Sequence, residues 1–385
     1  MQYETAARMA ERLGVTSRMV QIWAKEGKLH GAVKQGRDWL IPVGTERPGK
    51  NSNNLIKKQP LPLIDAIFEH GRCFEYIESI TDEELKKLAM AEYYYFSGQM
   101  EKAIEYTEEF FNYDDNVVKL SVYLINAFSN AAMGNYILAR ESLENMKKII
   151  HKDLNENLSF EEKAIYILLA ATASELMDMS VAEEDLLDYI KYLPEGLKSW
   201  ACQVMSYSAY LRGHYNEALG MIEITLSLNS GIYPITRIYM HLSAAMSYMG
   251  KKKIEEAKKH FYDAWELAKA DGFFEIFAEQ HGLLYGLSEI CIKDEYPDEY
   301  EKIIGIANKF NKTKQILKDE ARRGNQVEEL TSAEMVISML VSKGWSNQEI
   351  ADYMNLSVNT VKRYISIIYQ KLAVTKRSEL KKYML

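Results

Sequence analysis

The side chains best placed for chemistry gather near the C-terminus, in "SVNTVKRYISIIYQKL" (357–372). Ser366 stands four residues after Lys362 and three after Arg363, so on a helix it shares a face with each of these cations. From Ser357 onward the sequence holds seven Lys/Arg against one acidic residue, Glu379. A surface of that charge attracts phosphate, and Lys376 and Arg377 extend it. Bond-making chemistry has no comparable set. No glycine precedes a Gly-Lys-Ser/Thr at phosphate-loop distance, and there is no dinucleotide fingerprint, nucleophile elbow or His-Glu-x-x-His zinc motif. The seven histidines are scattered, and acidic runs such as "AEEDLLDY" read as helix surface. No α/β receiver pattern offers a phospho-acceptor Asp. The expectation is therefore no enzyme, no catalytic residue, no cofactor and no metal.

The elements that position this basic face belong to a chain of 385 residues, enough for two or three domains. The net charge of −8 is unevenly spread. Residues 1–50 carry nine basic and five acidic residues, 325–385 eight and six, and 51–324 thirty and forty-four. A polyanion is repelled by the middle and attracted by both ends. Cys73, Cys202 and Cys291 are far apart and form no paired motif, as in a reducing compartment. No apolar run reaches membrane-spanning length, and "MQYETAARMAERLG" is charged from its fourth residue, unlike a secretion signal. A cytoplasmic protein without a membrane partner is expected.

"GTERPGKNSNNLIKKQPLP" (44–62) has the composition of a connector, which divides a first domain, 1–48, from a linker, 49–62. From 63 to 324 apolar residues recur three and four apart, the pattern of helices. "TDEEL" (81–85) offers Thr81 as a helix N-cap with Glu84 completing a capping box. "YFSGQMEKAIEY", "AAMGNYILARES" and "YLRGHYNEALGM" each place Gly five residues before Ala. "SYMGKKKIEEAKKHF" keeps both residues with two more between them, and "ELMDMSVAEEDLLDYI" is a fainter copy. The glycines Gly98 and Gly134 are 36 residues apart, and Gly213 and Gly250 are 37 apart. A period in the mid-thirties means stacked helix pairs, an α-solenoid. The unit resembles degenerate tetratricopeptide repeats, without the Trp-Leu-Gly portion or the terminal Pro. Most of the 26 tyrosines fall in this block, where they fill cores or line a groove with acidic residues for a small molecule, peptide or protein.

A helix-turn-helix needs a small residue where its helices cross, a turn residue that tolerates a left-handed backbone, and an apolar lock on the second helix. Ala351, Asn355 and Val361 meet this at offsets of four and ten, and Ala10, Gly14 and Val20 repeat it at the same offsets. Leu13 and Val15 match Met354 and Leu356, while Thr16 matches Ser357 as N-cap of the second helix.

"LTSAEMVISMLVSKGWSNQEIADYMNLSVNTVKRYISIIYQKLAVTKRSEL" resembles the LuxR/FixJ-type DNA-binding domain, among other positions at Leu330, Thr331, Glu334, Gly344, Asn347, Glu349, Ala351, Val361, Lys362, Leu372 and Arg377. It departs at Val336, at Ile367, and at Ser338, where an aliphatic core residue is usual. The resemblance implies that the helix from Ser357 enters the major groove. Lys362, Arg363 and Ser366 then project toward base edges and adjoining phosphates, with Asn359 and Thr360 bonding phosphate near its N-terminus. The N-terminal copy runs on into "AVK" and "RDWLI" around Gln35–Gly36, a β-hairpin pattern. Helix-turn-helix plus hairpin resembles the excisionase/MerR-type winged helix. That implies Ser17, Arg18 and Gln21 in the major groove with Lys25 nearby, and Lys34 and Arg37 on the wing tip; Trp23 and Trp39 read as core.

The sequence thus reads as a mainly α protein: a winged helix-turn-helix at 1–48, a helical-repeat sensor at 63–324, and a four-helix LuxR-type domain at 325–385. It is expected to be a transcription regulator and a homodimer that binds promoter DNA, with RNA polymerase a candidate further partner. Two other readings stand beside it: a repeat-based adaptor with vestigial ends, and an excisionase-like recombination accessory factor.

Overall fold

The computed structural model describes residues 3–13, 15–25, 29, 32–36, 38–43, 45, 59–154, 158–179, 183–228, 232–318 and 330–383. Two compact units meet in sequence at Gln59 and Pro60, each with its own core.

The first unit runs β1 (Tyr3–Thr5), α1 (Ala6–Leu13), α2 (Ser17–Lys25), β2 (Val33–Gln35) and β3 (Asp38–Pro42). Its sheet is antiparallel in the order β1-β3-β2. β2 and β3 form a hairpin whose turn places Gly36 at φ +64°, a left-handed conformation that glycine adopts without strain. β1 was not expected from the sequence. Three residues pair with Leu40–Pro42 across more than thirty positions, which no local pattern announces. The Arg12 guanidinium fixes this strand, donating to the buried Glu4 carboxylate at 2.5 Å and the Thr45 carbonyl at 2.6 Å. Met9, Ala10, Val20, Ala24 and Ile41 form the core, with Trp23 and Trp39 packed against it. Gly14, Arg37 and most of the expected linker lie outside the described residues.

The second unit begins at Pro60, before the expected end of the linker at 62. Leu61 and Leu63 are already core residues, and the Leu63 N–H donates to buried Glu92 at 2.7 Å. After α3 (Cys73–Ser79), antiparallel pairs follow: α4 (Glu83–Phe96) with α5 (Met100–Glu108), then α6 (Asn116–Met133) with α7 (Tyr136–Asp153). α8 (Phe160–Ala173) and α9 (Glu183–Tyr189) occupy the place of the faint copy. α10 (Glu195–Leu211) pairs with α11 (Tyr215–Leu228), and α12 (Pro234–Gly250) with α13 (Ile254–Lys269). α14 (Glu275–Gln280) and α15 (Leu287–Cys291) lead to α16 (Pro297–Lys318), which packs on α6, α7 and α14. α17 (Ser332–Ser342), α18 (Asn347–Tyr353), α19 (Val358–Lys371) and a 3₁₀ segment, Arg377–Tyr383, complete the unit.

One turn geometry joins the helix pairs. Gly98, Gly134 and Gly213 are left-handed, and the next N–H bonds the carbonyl five residues back: Gln99 to Tyr94, Asn135 to Asn130, His214 to Ala209. In the fourth pair the left-handed residue is Lys252 at φ +58°, and the Lys253 N–H bonds the Tyr248 carbonyl at 2.9 Å. Counted from Lys252, the buried alanine is again five residues on, so Ala257 matches Ala103, Ala139 and Ala218. Gly250 therefore has another task. A Cβ there would lie 2.5–2.8 Å from the Tyr215 ring. α4 is capped by Asp82 rather than Thr81, its carboxylate accepting the N–H groups of Glu84 and Leu85. No helix among the described residues is long and apolar enough to cross a membrane.

Candidate nucleic-acid interface and internal cavity

The C-terminal helices are set by their caps. Thr331 with Glu334, and Ser346 with Glu349, close reciprocal capping boxes at the starts of α17 and α18. Ser357 caps α19, its Oγ accepting the Thr360 N–H at 3.0 Å. Between α18 and α19 the chain turns at Asn355, φ +53°, and the Leu356 N–H bonds the Ala351 carbonyl at 2.9 Å. Val361, Ile368 and Leu372 are buried against α17 and α18, which leaves Asn359, Lys362, Arg363 and Ser366 exposed as a stripe along the other face of α19.

The remaining basic residues of this region divide by their partners. Lys371 donates to the Glu334 carboxylate at 2.8 Å. Burial opposes ionisation of Glu334, but Lys371 and the Thr331 N–H hold its carboxyl below the usual range. Arg377, expected on the phosphate face, turns inward: its guanidinium donates to the Trp345 carbonyl and to Asn347 Oδ1 at 3.1 Å. Lys376 is exposed. The Thr360 hydroxyl is engaged with Ser357, 2.8 Å away.

The same turn recurs in the first unit. The Val15 N–H bonds the Ala10 carbonyl at 3.0 Å, the counterpart of Leu356 to Ala351. Thr16 Oγ1 accepts the Met19 N–H at 3.3 Å, three residues on, as Ser357 does for Thr360. Ala10 and Ala351 are both buried, and Val20 and Val361 wholly so. On α2, Ser17, Arg18, Gln21 and Lys25 are exposed along one side while Val20 and Ala24 face the core; Lys34 on β2 is exposed.

Residues 328–384 match the family model GerE, bacterial regulatory proteins of the luxR family. The C-terminal segment is a LuxR-type DNA-binding domain. The response regulator protein VraR of Staphylococcus aureus (strain NCTC 8325 / PS 47) is 43% identical over 58 residues, 15% of this chain and 28% of that protein. VraR of Staphylococcus epidermidis (strain ATCC 35984 / DSM 28319) matches to the same extent. The chain thus spans little more than a quarter of the length of these curated relatives. No solved structure matches it significantly.

The LuxR-type domain rests on the preceding helices of the second unit through α17 and α18. Val336 packs on Gly286, where a Cβ would approach Val336 Cγ1 to 2.6 Å. The Lys343 ammonium lies 5.5 Å above the Tyr210 ring. Lys252, the left-handed residue of the fourth repeat turn, donates to Glu349 at 2.6 Å and covers the Trp345 ring. Lys252 and the Ser346 N–H hold the Glu349 carboxyl down at about 2. The stripe on α19 is not part of this contact and stays exposed.

Among the helices of the second unit lies a cavity of about 240 Å³. Its walls come from α4, α6, α8, α9, α10, α12, α14 and α16 and include the aromatic rings of Tyr95, Phe96, Phe128, Trp200, Tyr207 and Tyr239. Trp200 meets Tyr239 edge to face at 5.0 Å. The polar lining is unusual for an interior. Buried Glu279 accepts hydrogen bonds from the Tyr95 and Tyr239 hydroxyls, the latter at 2.9 and 3.0 Å. Burial and the Glu175 carboxylate push Glu279 up to about 8, against the pull of Tyr95, Tyr239 and Lys314. Glu175 accepts from Tyr207 at 3.2 Å and Lys314 at 2.7 Å. Glu92 Oε1 and Gln280 Oε1 have no hydrogen-bond partner among the described residues. The sequence left open whether the tyrosines fill cores or line a groove with acidic residues, and Glu175, Glu279 and Gln280 carried no signal, because helices far apart in the chain bring them together.

Elsewhere in the repeats His241, His260 and Asp263 place three potential ligand atoms within 4.8 Å of one another. The two imidazoles are hydrogen-bonded Nδ1 to Nδ1 at 3.0 Å, and burial lowers both, His241 to about 4.

Proposed function

We propose that this chain is a sequence-specific transcription regulator with a DNA reader at each end and a sensing domain of helical repeats between them. The observation that carries the reading is the α19 stripe of Lys362, Arg363 and Ser366, exposed on a LuxR-type domain and outside its contact with the preceding helices. Lys362 and Arg363 reach base edges and adjoining phosphates, Asn359 and Lys376 contact phosphate, and Lys371 and Arg377 hold the domain together. The first unit acts as a winged helix of excisionase/MerR type, reading with Ser17, Arg18 and Gln21 while Lys25 and Lys34 approach the backbone. The protein works as a homodimer, because one recognition helix spans too few base pairs for useful specificity. The reading includes no enzymatic step.

Sensing has a physical route. α10 and α14 line the cavity, α10 also carries Tyr210 beneath Lys343, and the 3₁₀ turn His281–Leu283 that follows α14 packs on α17. A ligand that prefers one arrangement of these helices shifts the LuxR-type domain by that differential affinity.

The test is titration of the intact protein onto DNA from upstream of its own gene, at several salt concentrations. Wild type should bind with a steep salt dependence. Replacing Lys362 and Arg363 by Ala should weaken binding at least tenfold, and should lower the log–log salt slope by up to about 2 if both contact phosphate. Binding unaffected by the double substitution would sink the assignment.

A further inference from the structure

We infer that the cavity in the repeats is a binding site for a small organic amine with an apolar, preferably aromatic, body. This deepens the sensing role proposed above and rests on it for its regulatory meaning, though the site itself can be tested without DNA.

The tyrosine donors of the walls are already used. Tyr95 and Tyr239 give their hydroxyl protons to Glu279, and Tyr207 gives its own to Glu175. What remains toward the interior is acceptor capacity: Glu92 Oε1 and Gln280 Oε1, both buried and without a partner among the described residues. Buried acceptors left unmet are costly, and a donor-rich ligand group would meet them. Charge points the same way. Glu175 is already matched by Lys314, while burial holds protons on Glu92 and Glu279 that an entering cation would displace, and Lys318 is the one cation among the described lining residues. An ammonium supplies up to three donors and a positive charge, and the electron-rich faces of Trp200 and the tyrosines favour a cation at short range. The apolar remainder of the lining suits a hydrocarbon body. A 150 Å³ apolar cavity holds benzene, so 240 Å³ admits a ligand of roughly ten non-hydrogen atoms.

Three probes of nearly equal shape separate the possibilities: 2-phenylethylamine, 2-phenylethanol and 3-phenylpropionate, each titrated calorimetrically into the intact protein at pH 7. The amine should bind at one site per chain and at least tenfold more tightly than either isostere. Glu279→Gln should weaken the amine at least tenfold while sparing the alcohol, and Glu92→Gln should weaken it to a lesser degree. The inference is overturned if the carboxylate binds best, if the amine shows no binding at millimolar concentration, or if both substitutions leave amine affinity unchanged. Should a variant not fold, the ranking of the three probes on wild type decides alone. DNA titration of the same wild-type preparation is scored separately. Amine binding without DNA binding would sink the regulator and keep the site, and the reverse result would remove the site only.

Discussion

Ser338 occupies a position where the LuxR-type pattern usually carries an aliphatic side chain. It is fully buried, and its hydroxyl has no hydrogen-bond partner among the described residues. Ser342, one turn on, differs in that its hydroxyl donates to the Met339 carbonyl at 2.8 Å. Removing an unmet buried hydroxyl should stabilise the fold, so Ser338→Ala is expected to gain about 1 kcal/mol. The measurement is the urea midpoint at constant slope, and a lower midpoint than wild type would contradict the account. The basic residues nearby show where reading at this scale stops. Lys362, Arg363, Lys371 and Arg377 are alike in sequence as cations near a recognition helix. Two of them are internal ties, because Glu334 lies 37 residues from Lys371 and the Trp345 carbonyl 32 from Arg377. Spacing along one helix gives the exposed stripe; it cannot give partners brought by another.

Among the elements, the helix pairs were legible because each turn needs one left-handed residue and one small residue where the helices cross, five positions apart. The fourth pair departs from the glycine form of this rule. In "SYMGKKKIEEAKKHF" the visible glycine suggested the turn, but Lys252 accepts the left-handed conformation and Gly250 clears space for Tyr215. Gly250→Ala is therefore expected to cost more than the roughly 1 kcal/mol range of helix propensity would allow, and in the opposite direction, since Ala is the better helix former. In a Tyr215→Ala background most of that cost should vanish. Denaturation of the four proteins of this cycle tests the point, and additive costs would show that Tyr215 is not the obstacle. The turns between α1 and α2 and between α18 and α19 were legible in a similar way: the Ala10 and Ala351 carbonyls accept equivalent N–H bonds, and both residues are buried. The cavity was not, because tyrosines at helical spacing look alike whether they fill a core or line a void. Their hydroxyls converge on Glu279 from α4 and α12, whose facing positions are nearly 150 residues apart.

At the scale of the second unit as a whole, buried ionisable groups govern how stability follows pH. Burial pushes the carboxyls of Glu92, Glu275 and Glu279 upward, and Glu279 titrates near 8 among Tyr95, Tyr239, Glu175, Glu275 and Lys314. In the unfolded chain such carboxyls ionise near 4.3. The folded state thus keeps protons that the unfolded state has released, and stability falls as pH rises through this interval. The slope is up to about 1.4 kcal/mol per pH unit for each proton. His241 and His260 act in the opposite sense. Burial lowers both, so below roughly pH 6.5 the unfolded chain takes up protons that the folded one refuses. Their contribution is complete above that pH and is lost as pH falls. Between about pH 6.5 and 8 the carboxyls therefore dominate, and the urea midpoint of the wild type should decline. Glu279→Gln removes one of the retained protons and should decline less steeply over the same range. A wild-type profile that is flat or rising there would contradict the burial of these acids, and an unchanged slope in the variant would remove Glu279 from the account. Because the cavity and the seat of the LuxR-type domain share α10 and the α14 region, loss of the folded repeats at higher pH should release that domain in the same transition. Near-ultraviolet circular dichroism, and the emission of a variant that keeps Trp345 as its one tryptophan, should then give one coincident midpoint.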